Sequence, residues 1–366
     1  MKFICERDVL KEGMAAISGR TKHGKNIPIL GHVLIEASDA SVRLTGNDMS
    51  ACSVIEIPAD VSQPGEYTLP ADRLGKLVSG LPLGAQVCVE REGNAPLAKI
   101  RAGRSAYSFG GLPASDFPGA FTVQDPCELV LTRSEVNRIL KVPAPSVCDE
   151  AARLYLSGIY LHPERGRLVG VASNGHTLIR TSVDCVAAKF TGVIIPAAAC
   201  DEIVRLASDG DVTVRVTASL IEVETGKRRF VSKLVDGTFP DYHRTIPQSN
   251  PPAFAVDVAE LDAALARLAG AGEGGRGVKF SWDAKAEVLK LQRRTDQGEG
   301  NEEIPCDCEG RPSPGEAGFN VDYVRMLIAA SGGEVVRLHI DGPGEPARVT
   351  NPADADFVSV MMPLRV

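Results

Sequence analysis

A threefold internal repeat constrains this chain more than any other feature. ERDVLKEGMAAISG from Glu6, TRSEVNRILKVPAP from Thr132 and DVAELDAALARLAG from Asp257 begin 126 and 125 residues apart. Each carries an acidic or hydroxyl residue in its first turn and apolar residues at spacings of three and four, the pattern of an amphipathic helix. A second helical pattern recurs in step: YTLPADRLGKLVSGL from Tyr67, VIIPAAACDEIVRLAS from Val193 and FNVDYVRMLIAASGG from Phe319. Between the two helices, VLIEASDASVRLTGND, GIYLHPERGRLVGVASNG and VKFSWDAKAEVLKLQRRTD alternate with a near two-residue period around polar turns and read as β-hairpins. The first two copies close on LPASDFPGAF and VDGTFPDYHR, with Phe117-Pro118 and Phe239-Pro240 standing 122 residues apart, and the third closes on FVSVMMPLRV.

A period of about 120 residues is long enough for each copy to bury a core of its own, so it predicts three domains rather than a solenoid. The fold class is α+β, in three tandem copies of two helices packed on antiparallel sheets. Proline clusters near Asp125-Pro126 and over Gln248 to Pro252 mark the breaks, which sets domains at 1–124, 127–248 and 252–366. A site for one chemical reaction rarely needs three copies of a scaffold, whereas symmetric geometry does.

Composition narrows the class. The chain is 44% hydrophobic and holds no apolar stretch near the roughly 18 residues that span a bilayer. MKFICERDVL meets charges too early for a secretory signal, and a cytoplasmic location is expected. Nine cysteines lie scattered without a repeated C-x-x-C, which reads as reduced structural thiols, with no metal site indicated. A net charge of −7 argues against a surface that coats nucleic acid everywhere, but leaves room for a local basic face. Every predicted helix or its exit carries a cation: Arg7, Lys11 and Arg20; Arg73 and Lys76; Arg133, Arg138 and Lys141; then Arg205, Arg267 and Arg325. If the helices share a surface, it is suited to phosphates without base readout; solvated helix faces also carry such residues ordinarily.

The repeat, the opening MKF…ER, NIPILGHVLI, SNGHTL, KLVDGTFPDYHR, GFNVDYV and the terminal VMMPLRV together resemble the bacterial DNA polymerase III β subunit family, the sliding clamps, from Met1 to Val366. The resemblance implies a DNA-clamp domain in each copy and a head-to-tail homodimer forming a six-domain ring, with helices inside and sheets outside. Twelve helices about 8–10 Å apart give an inner circumference of about 100–120 Å, wide enough for a hydrated duplex. Such a ring is a non-catalytic processivity factor of the DNA polymerase III holoenzyme: it slides on DNA, sequence-independently, and tethers the polymerase near the primer end. The implied partners are duplex DNA, the polymerase III alpha subunit, the clamp loader, other proteins carrying a clamp-binding motif of the Gln-x-x-Leu-Phe type and a second copy of the chain, with no cofactor. The expected DNA-facing residues are Arg20, Lys22, Lys25, Arg73, Arg138, Lys141 and Arg205, with Arg153 and Tyr155 from the EAARLYL loop.

The family's partner-peptide pocket lies between the second and third domains and uses the chain's own last strand. Carried over by position, it comprises Leu156, Ser173, Gly175, His176, Thr177 and Leu178, then Pro240, Arg244 and Thr245, then Asn320, Tyr323, Val360, Met361, Met362, Pro363 and Leu364. Methionine supplies an adaptable apolar wall. The family's protomer interface maps to Arg101, Arg104, Tyr107 and Phe109 on the first domain and to Ala269, Gly270, Glu299, Glu302 and Glu303 on the third.

Catalytic readings fail on motif. Ser173, His176 and Asp241 have the residue types of a hydrolytic triad but no G-x-S-x-G elbow. GAGEGGRG from Gly270 lacks the G-K-[ST] ending of a phosphate loop and reads as a turn, and the acidic TDQGEGNEEI lacks calcium-loop spacing. Departures from the family pattern are Ala269 and Gly270, where bulky aliphatics are common, which implies a smaller dimer contact. Others are Gly275, Gly344 and Pro346 at the pocket. These keep open a second reading: a diverged paralogue that binds restricted partners or a ligand.

Overall fold

The structure is a computed structural model that describes residues 1–22, 24, 27–93, 95–248, 253–270, 276–283, 287–309 and 313–366. All six expected helices form: α1 Arg7–Ile17, α2 Ala71–Gly80, α3 Arg133–Val136, α4 Ala197–Leu206, α5 Val258–Gly270 and α6 Val321–Ser331. Their apolar spacing does what the pattern predicts. Leu10, Met14 and Ile17 of α1 and Leu261, Ala264, Leu265 and Leu268 of α5 point into cores. The three hairpins form as well: His32–Ser38 with Ser41–Asn47, Gly158–Glu164 with Arg167–Ser173, and Gly277–Trp282 with Val288–Thr295, all antiparallel. The chain is thus three tandem copies of helices on antiparallel sheets, as expected.

Helix α3 differs from the uniform helix anticipated at Thr132. After four residues it passes into a π turn over Asn137–Lys141, in which Val142 N–H bonds to the Asn137 carbonyl at 3.0 Å. Two contacts account for the wider turn. Thr181 Oγ1 donates to the Arg138 carbonyl at 2.6 Å, competing for an acceptor of the helix ladder. The turn also rests against Gly170, where a Cβ would stand 2.0 Å from the Ile139 carbonyl oxygen, an approach only glycine permits.

The chain divides into two compact units, residues 1–133 with 205–234, and residues 134–204 with 235–366. The first holds a five-stranded sheet, in order Asp60–Gln63, Lys2–Glu6, Gln86–Glu90, Leu97–Ala102 and Ser105–Gly110, and an eight-stranded one. In the latter, Cys127–Leu131, Val212–Val216, Leu220–Thr225 and Arg228–Lys233 come from the second repeat. They continue through Ala51–Pro58, Ser41–Asn47, His32–Ser38 and Gly65–Pro70 of the first. The joint is the pairing of Phe230 with Ser53 and Val231 with Cys52.

The second unit repeats the device. Its nine-stranded sheet runs Val193–Pro196, Gly158–Glu164, Arg167–Ser173 and Thr177–Asp184, then crosses to Asp354–Met361, Ala347–Asn351, Val335–His339, Ala253–Asp257 and Asp307–Glu309. Leu178 faces Val360 and Thr177 faces Met361 at this joint. A four-stranded sheet of Gly298–Pro305, Val288–Thr295, Gly277–Trp282 and Gly315–Asn320 completes it.

Each unit has a contiguous core. In the first, Phe3, Leu10, Ile17, Ile35, Leu44, Leu69 and Leu74 are fully buried between helices and sheets. In the second, Phe254, Leu265, Phe280, Phe319, Leu327 and Phe357 play the same part. Burial of each such side chain stabilises the fold by about 1.5–3 kcal/mol before chain entropy is counted. Arg7, 6% exposed, joins α1 to α2 by donating from Nε to the Val78 carbonyl (3.0 Å) and from Nη2 to the Ser79 carbonyl (2.7 Å), acceptors that the end of a helix leaves open. Arg293 does the same for α5, its Nη1 reaching the carbonyls of Leu268 and Ala269 at 2.7 and 2.6 Å. The nine cysteines are all free thiols.

Candidate functional site

In the second unit, the crossing from Thr177–Asp184 to Asp354–Met361 leaves a cavity of about 260 Å³ at one end of the ladder. Its first wall is the turn after Arg167–Ser173. Asn174 Oδ1 accepts from the backbone N–H groups of His176 (2.9 Å) and Thr177 (2.7 Å), while Ser173 Oγ donates to the Thr177 carbonyl at 2.8 Å. Such side-chain acceptors are why Asn and Ser favour turns. Gly175 takes a left-handed conformation, φ 86°, and a Cβ there would meet Arg153 Nη1 at 2.9 Å. Glycine therefore both makes the turn and lets Arg153 lie across it, where Nη1 donates to the Asn174 carbonyl at 3.3 Å.

The second wall is the segment Phe239 to Thr245, with Phe239, Pro240, Tyr242 and Thr245 lining the space. The floor is the last strand. Alternation along it sends Val360 and Met362 toward the cavity and Met361, 1% exposed, into the core behind. Met362 is 38% exposed, an accessible thioether beside apolar walls.

Of the residues expected at this pocket, Leu156, Ser173, Gly175, His176, Thr177, Leu178, Pro240, Thr245, Val360 and Met362 line one cavity. Tyr323 stands next to it, its ring stacked on His176 with centroids 6.0 Å apart. The other five, Pro363 among them, do not line it. Met361 is core. Arg244 is exposed and pairs with Asp241 at 3.0 Å. Asn320 caps α6, its Oδ1 accepting from Asp322 N–H at 2.9 Å. Leu364 belongs to a tail that follows Pro363 along the edge of the four-stranded sheet, with Leu364 N–H donating to the Gly318 carbonyl at 2.7 Å. There, a Cβ on Gly318 would stand 2.2 Å from the Leu364 carbonyl oxygen, and one on Gly277 would stand 2.4 Å from Val366 Cγ1. Gly275 lies outside the described residues, and Gly344 and Pro346 do not line the cavity.

The lining also holds Phe239, Tyr242, Arg153 and Tyr155. Phe239 stands on the recurring Phe-Pro signature, which in the sequence marks only the close of a repeat. Tyr242 lies two residues beyond Pro240, a signal for the same wall. Arg153 and Tyr155, expected to face DNA, form part of the cavity rim.

The remaining expected DNA-facing residues divide by what they touch. Lys22, Arg73, Lys141 and Arg205 are exposed. Arg20 Nη1 pairs with Asp48 at 2.8 Å, and its guanidinium lies 5.9 Å from the Phe230 ring; Arg138 Nη2 reaches Asp354 at 2.6 Å. Lys25 lies outside the described residues. In the third repeat the helix cations are engaged: Arg325 with Asp262 at 2.7 and 3.1 Å, and Arg267 with Glu302 at 2.8 and 2.7 Å.

Two sheets end on exposed strands where a protomer interface was expected. Ser105–Gly110 ends the five-stranded sheet among the described residues, with Tyr107 exposed and Arg101 and Arg104 on the same ribbon, while Phe109 is partly buried against the core. Gly298–Pro305 ends the four-stranded sheet. Its acids have local partners: Glu299 with Arg294 at 2.8 Å, Glu302 with Arg267, and Glu303 with Lys290 at 3.6 Å. Ala269 packs on the core and Gly270 is exposed. Among the described residues, no group of three or more His, Cys, Asp or Glu could hold a metal ion, and no helix is long and apolar enough to cross a membrane.

Three clamp-like repeats, joined through continuous sheets and bearing an apolar cavity beside the last strand, define the architecture of the DNA sliding clamps. Residues 1–122, 130–241 and 243–365 match the N-terminal, central and C-terminal domains of the DNA polymerase III beta subunit, and the chain belongs to that family. It is 31% identical to the beta sliding clamp of Escherichia coli K12 and 30% identical to that of Caulobacter vibrioides, with 100% of each chain covered. Among solved structures, it is similar to the sliding clamp of Caulobacter crescentus (TM-score 0.93, 30% identity) and to the DNA polymerase III beta subunit of Pseudomonas aeruginosa (0.93, 29%), again over 100% of both chains.

Proposed function

We propose that the chain is a sliding clamp that encircles duplex DNA and gives the replicative polymerase its processivity. A head-to-tail homodimer of protomers with domains at 1–124, 127–248 and 252–366 closes the ring. Supporting this are the two exposed sheet edges, one ending the five-stranded sheet at Ser105–Gly110 and one ending the four-stranded sheet at Gly298–Pro305. Such edges offer backbone groups to a second chain. With Glu299 and Glu303 paired within their own sheet, Glu302 paired with Arg267 of α5, and Ala269 and Gly270 small, the contact is expected to be modest in area and weak in charge complementarity.

Lys22, Arg73 and Lys141 supply exposed charge for phosphates. The contacts are meant to be weak, because a ring that slides must exchange them continuously. The clamp is non-catalytic and works in the cytoplasm, without a cofactor: a closed ring leaves DNA only at an end, and a tethered polymerase stays at high effective concentration. The cavity beneath Met362 captures the partners. These are the polymerase III alpha subunit, the clamp loader and other replication and repair proteins that carry a short apolar motif.

The observation that carries this reading is the cavity itself: ten residues assigned to a partner pocket from positions spread over Leu156 to Met362 surround one space. The deciding experiment is retention on DNA after loading with the cognate clamp loader and ATP, on closed circular plasmid and on the same plasmid cut once. Fast loss from the cut plasmid alone supports topological linkage. Equal, slow loss from both would sink the sliding mechanism.

A further inference from the structure

Behind the cavity lies a polar network to which peptide capture assigns no role. His162, 9% exposed, sits on strand Gly158–Glu164 with Nε2 3.0 Å from the hydroxyl of Tyr242 and Nδ1 3.3 Å from the Pro163 carbonyl. Tyr242 is a wall of the cavity, and so is Phe239. Tyr160 stacks on both Phe239, at 4.9 Å and 2°, and His162, at 4.8 Å and 25°. The ring set behind the pocket is therefore seated on the imidazole.

The proton positions follow from the partners. The Arg180 guanidinium bonds through Nη2 to Glu164 at 2.8 Å, close enough to Tyr242 to act on it electrostatically. A backbone carbonyl only accepts, so the hydrogen facing the Pro163 carbonyl is carried by His162 Nδ1. In the neutral ring Nε2 is then the bare nitrogen, and it accepts from the Tyr242 hydroxyl. Burial pushes His162 below the ordinary imidazole range, in keeping with that neutral tautomer.

We propose that His162 is a positioning residue for the partner pocket: by accepting the Tyr242 proton it fixes the phenol ring that walls the cavity, and only the neutral imidazole does so. This rests on the peptide-binding reading of the cavity. Protonated, His162 carries a hydrogen on Nε2 as well and can no longer accept from Tyr242, so the phenol hydrogen must turn away from the ring. The titratable and charged groups facing it are Arg180 on strand Thr177–Asp184, His243 stacked on Tyr242 at 4.2 Å, and Glu164 on its own strand. Glu164 is the one anion of the three, and it is already committed to Arg180, with His243 Nε2 a further 3.8 Å away. Acid therefore removes the acceptor that orients the Tyr242 hydroxyl, and partner affinity falls with it.

The test is a fluorescence titration with a labelled Gln-x-x-Leu-Phe peptide lacking titratable side chains. It compares the full-length wild type, His162→Phe, His162→Gln and Tyr242→Phe between about pH 5 and pH 8, each checked for folding. His176 also lines the cavity, so the acid response is read as the difference between proteins that all retain it. At neutral pH, His162→Phe is expected to bind about three- to tenfold more weakly than wild type, the scale of one lost hydrogen bond. His162→Gln, whose Oε1 can accept the same proton, recovers most of that affinity but loses the additional acid response. Tyr242→Phe loses it as well, and this variant carries the test if His162→Phe does not fold. Equal affinity and identical acid profiles in wild type and variants would overturn the positioning role and leave the pocket standing. Failure of the folded wild type to bind at any pH would overturn the pocket reading and this inference together.

Discussion

The backbone N–H of Met362 donates to the carbonyl of His176 at 2.8 Å, fastening the end of the last strand to the turn that forms the opposite wall of the cavity. With the pairing of Thr177 and Met361 beside it, that bond holds the strand end that carries the thioether at the floor of the pocket. Truncating the side chain in Met362→Ala removes apolar surface without touching the ladder, because the pairing of Leu178 with Val360 remains. Affinity for a Gln-x-x-Leu-Phe peptide should fall about tenfold, measured by fluorescence polarisation, with the melting temperature nearly unchanged.

The tail should fail differently. Gly318→Val places branched atoms where the Leu364 carbonyl lies 2.2 Å from the position of a Cβ. The tail must lift from the sheet edge, at a cost of about 1–3 kcal/mol. Hydrogen exchange at Leu364 N–H and urea unfolding both report the change; protection equal to wild type would contradict the packing described.

Charge on the helices should matter by partnership rather than by count. Reversing Arg73 or Lys141, both exposed, should shorten retention on circular DNA at low salt and reduce the salt slope of binding by about one for each phosphate no longer neutralised. Arg325→Ala should change that slope little, since its guanidinium is already committed to Asp262. Comparable effects from all three would show that the third repeat grips DNA as firmly as the others.

The same pair gives a pH signature. The Arg325 guanidinium beside Asp262 holds its carboxyl below the usual carboxylate range. A depressed carboxyl contributes stability above its unfolded pKa and loses it as pH falls through the folded value. The stability gap between wild type and Asp262→Asn should therefore be present at neutral pH and close in acid below the usual carboxylate range. Since both side chains are substantially exposed, the gap should stay under about 1 kcal/mol. Urea denaturation across pH measures it.

Helices and hairpins were legible because their signals are local. Three- and four-residue spacing placed Leu10, Met14 and Ile17 inside, and polar turns such as Ser38 to Ser41 marked the hairpins. The cavity was expected only through the resemblance to the sliding clamps, which assigned positions in SNGHTL, FPDYHRT and the last strand to one pocket; no local pattern in those residues marks it. What stayed hidden depends on partners far along the chain. Arg7, Arg267 and Arg325 look alike on a helix, yet the first fills carbonyls 71 and 72 residues away and the other two meet acids 35 and 63 residues away. Tyr242 gains its place from His162, 80 residues earlier. The π turn of α3 likewise depends on Thr181 and Gly170 beneath it, and no spacing within TRSEVNRILK records them.

The pairing of Arg228–Lys233 with Ala51–Pro58 has a mechanical consequence. Where two repeats meet through a ladder of backbone hydrogen bonds, the junction resists bending as a sheet does and yields by unzipping, one rung after another, instead of swinging about the connecting segment. Strain on the first unit would thus be felt as elastic twist spread across eight strands, and compliance would have to come from somewhere other than that seam.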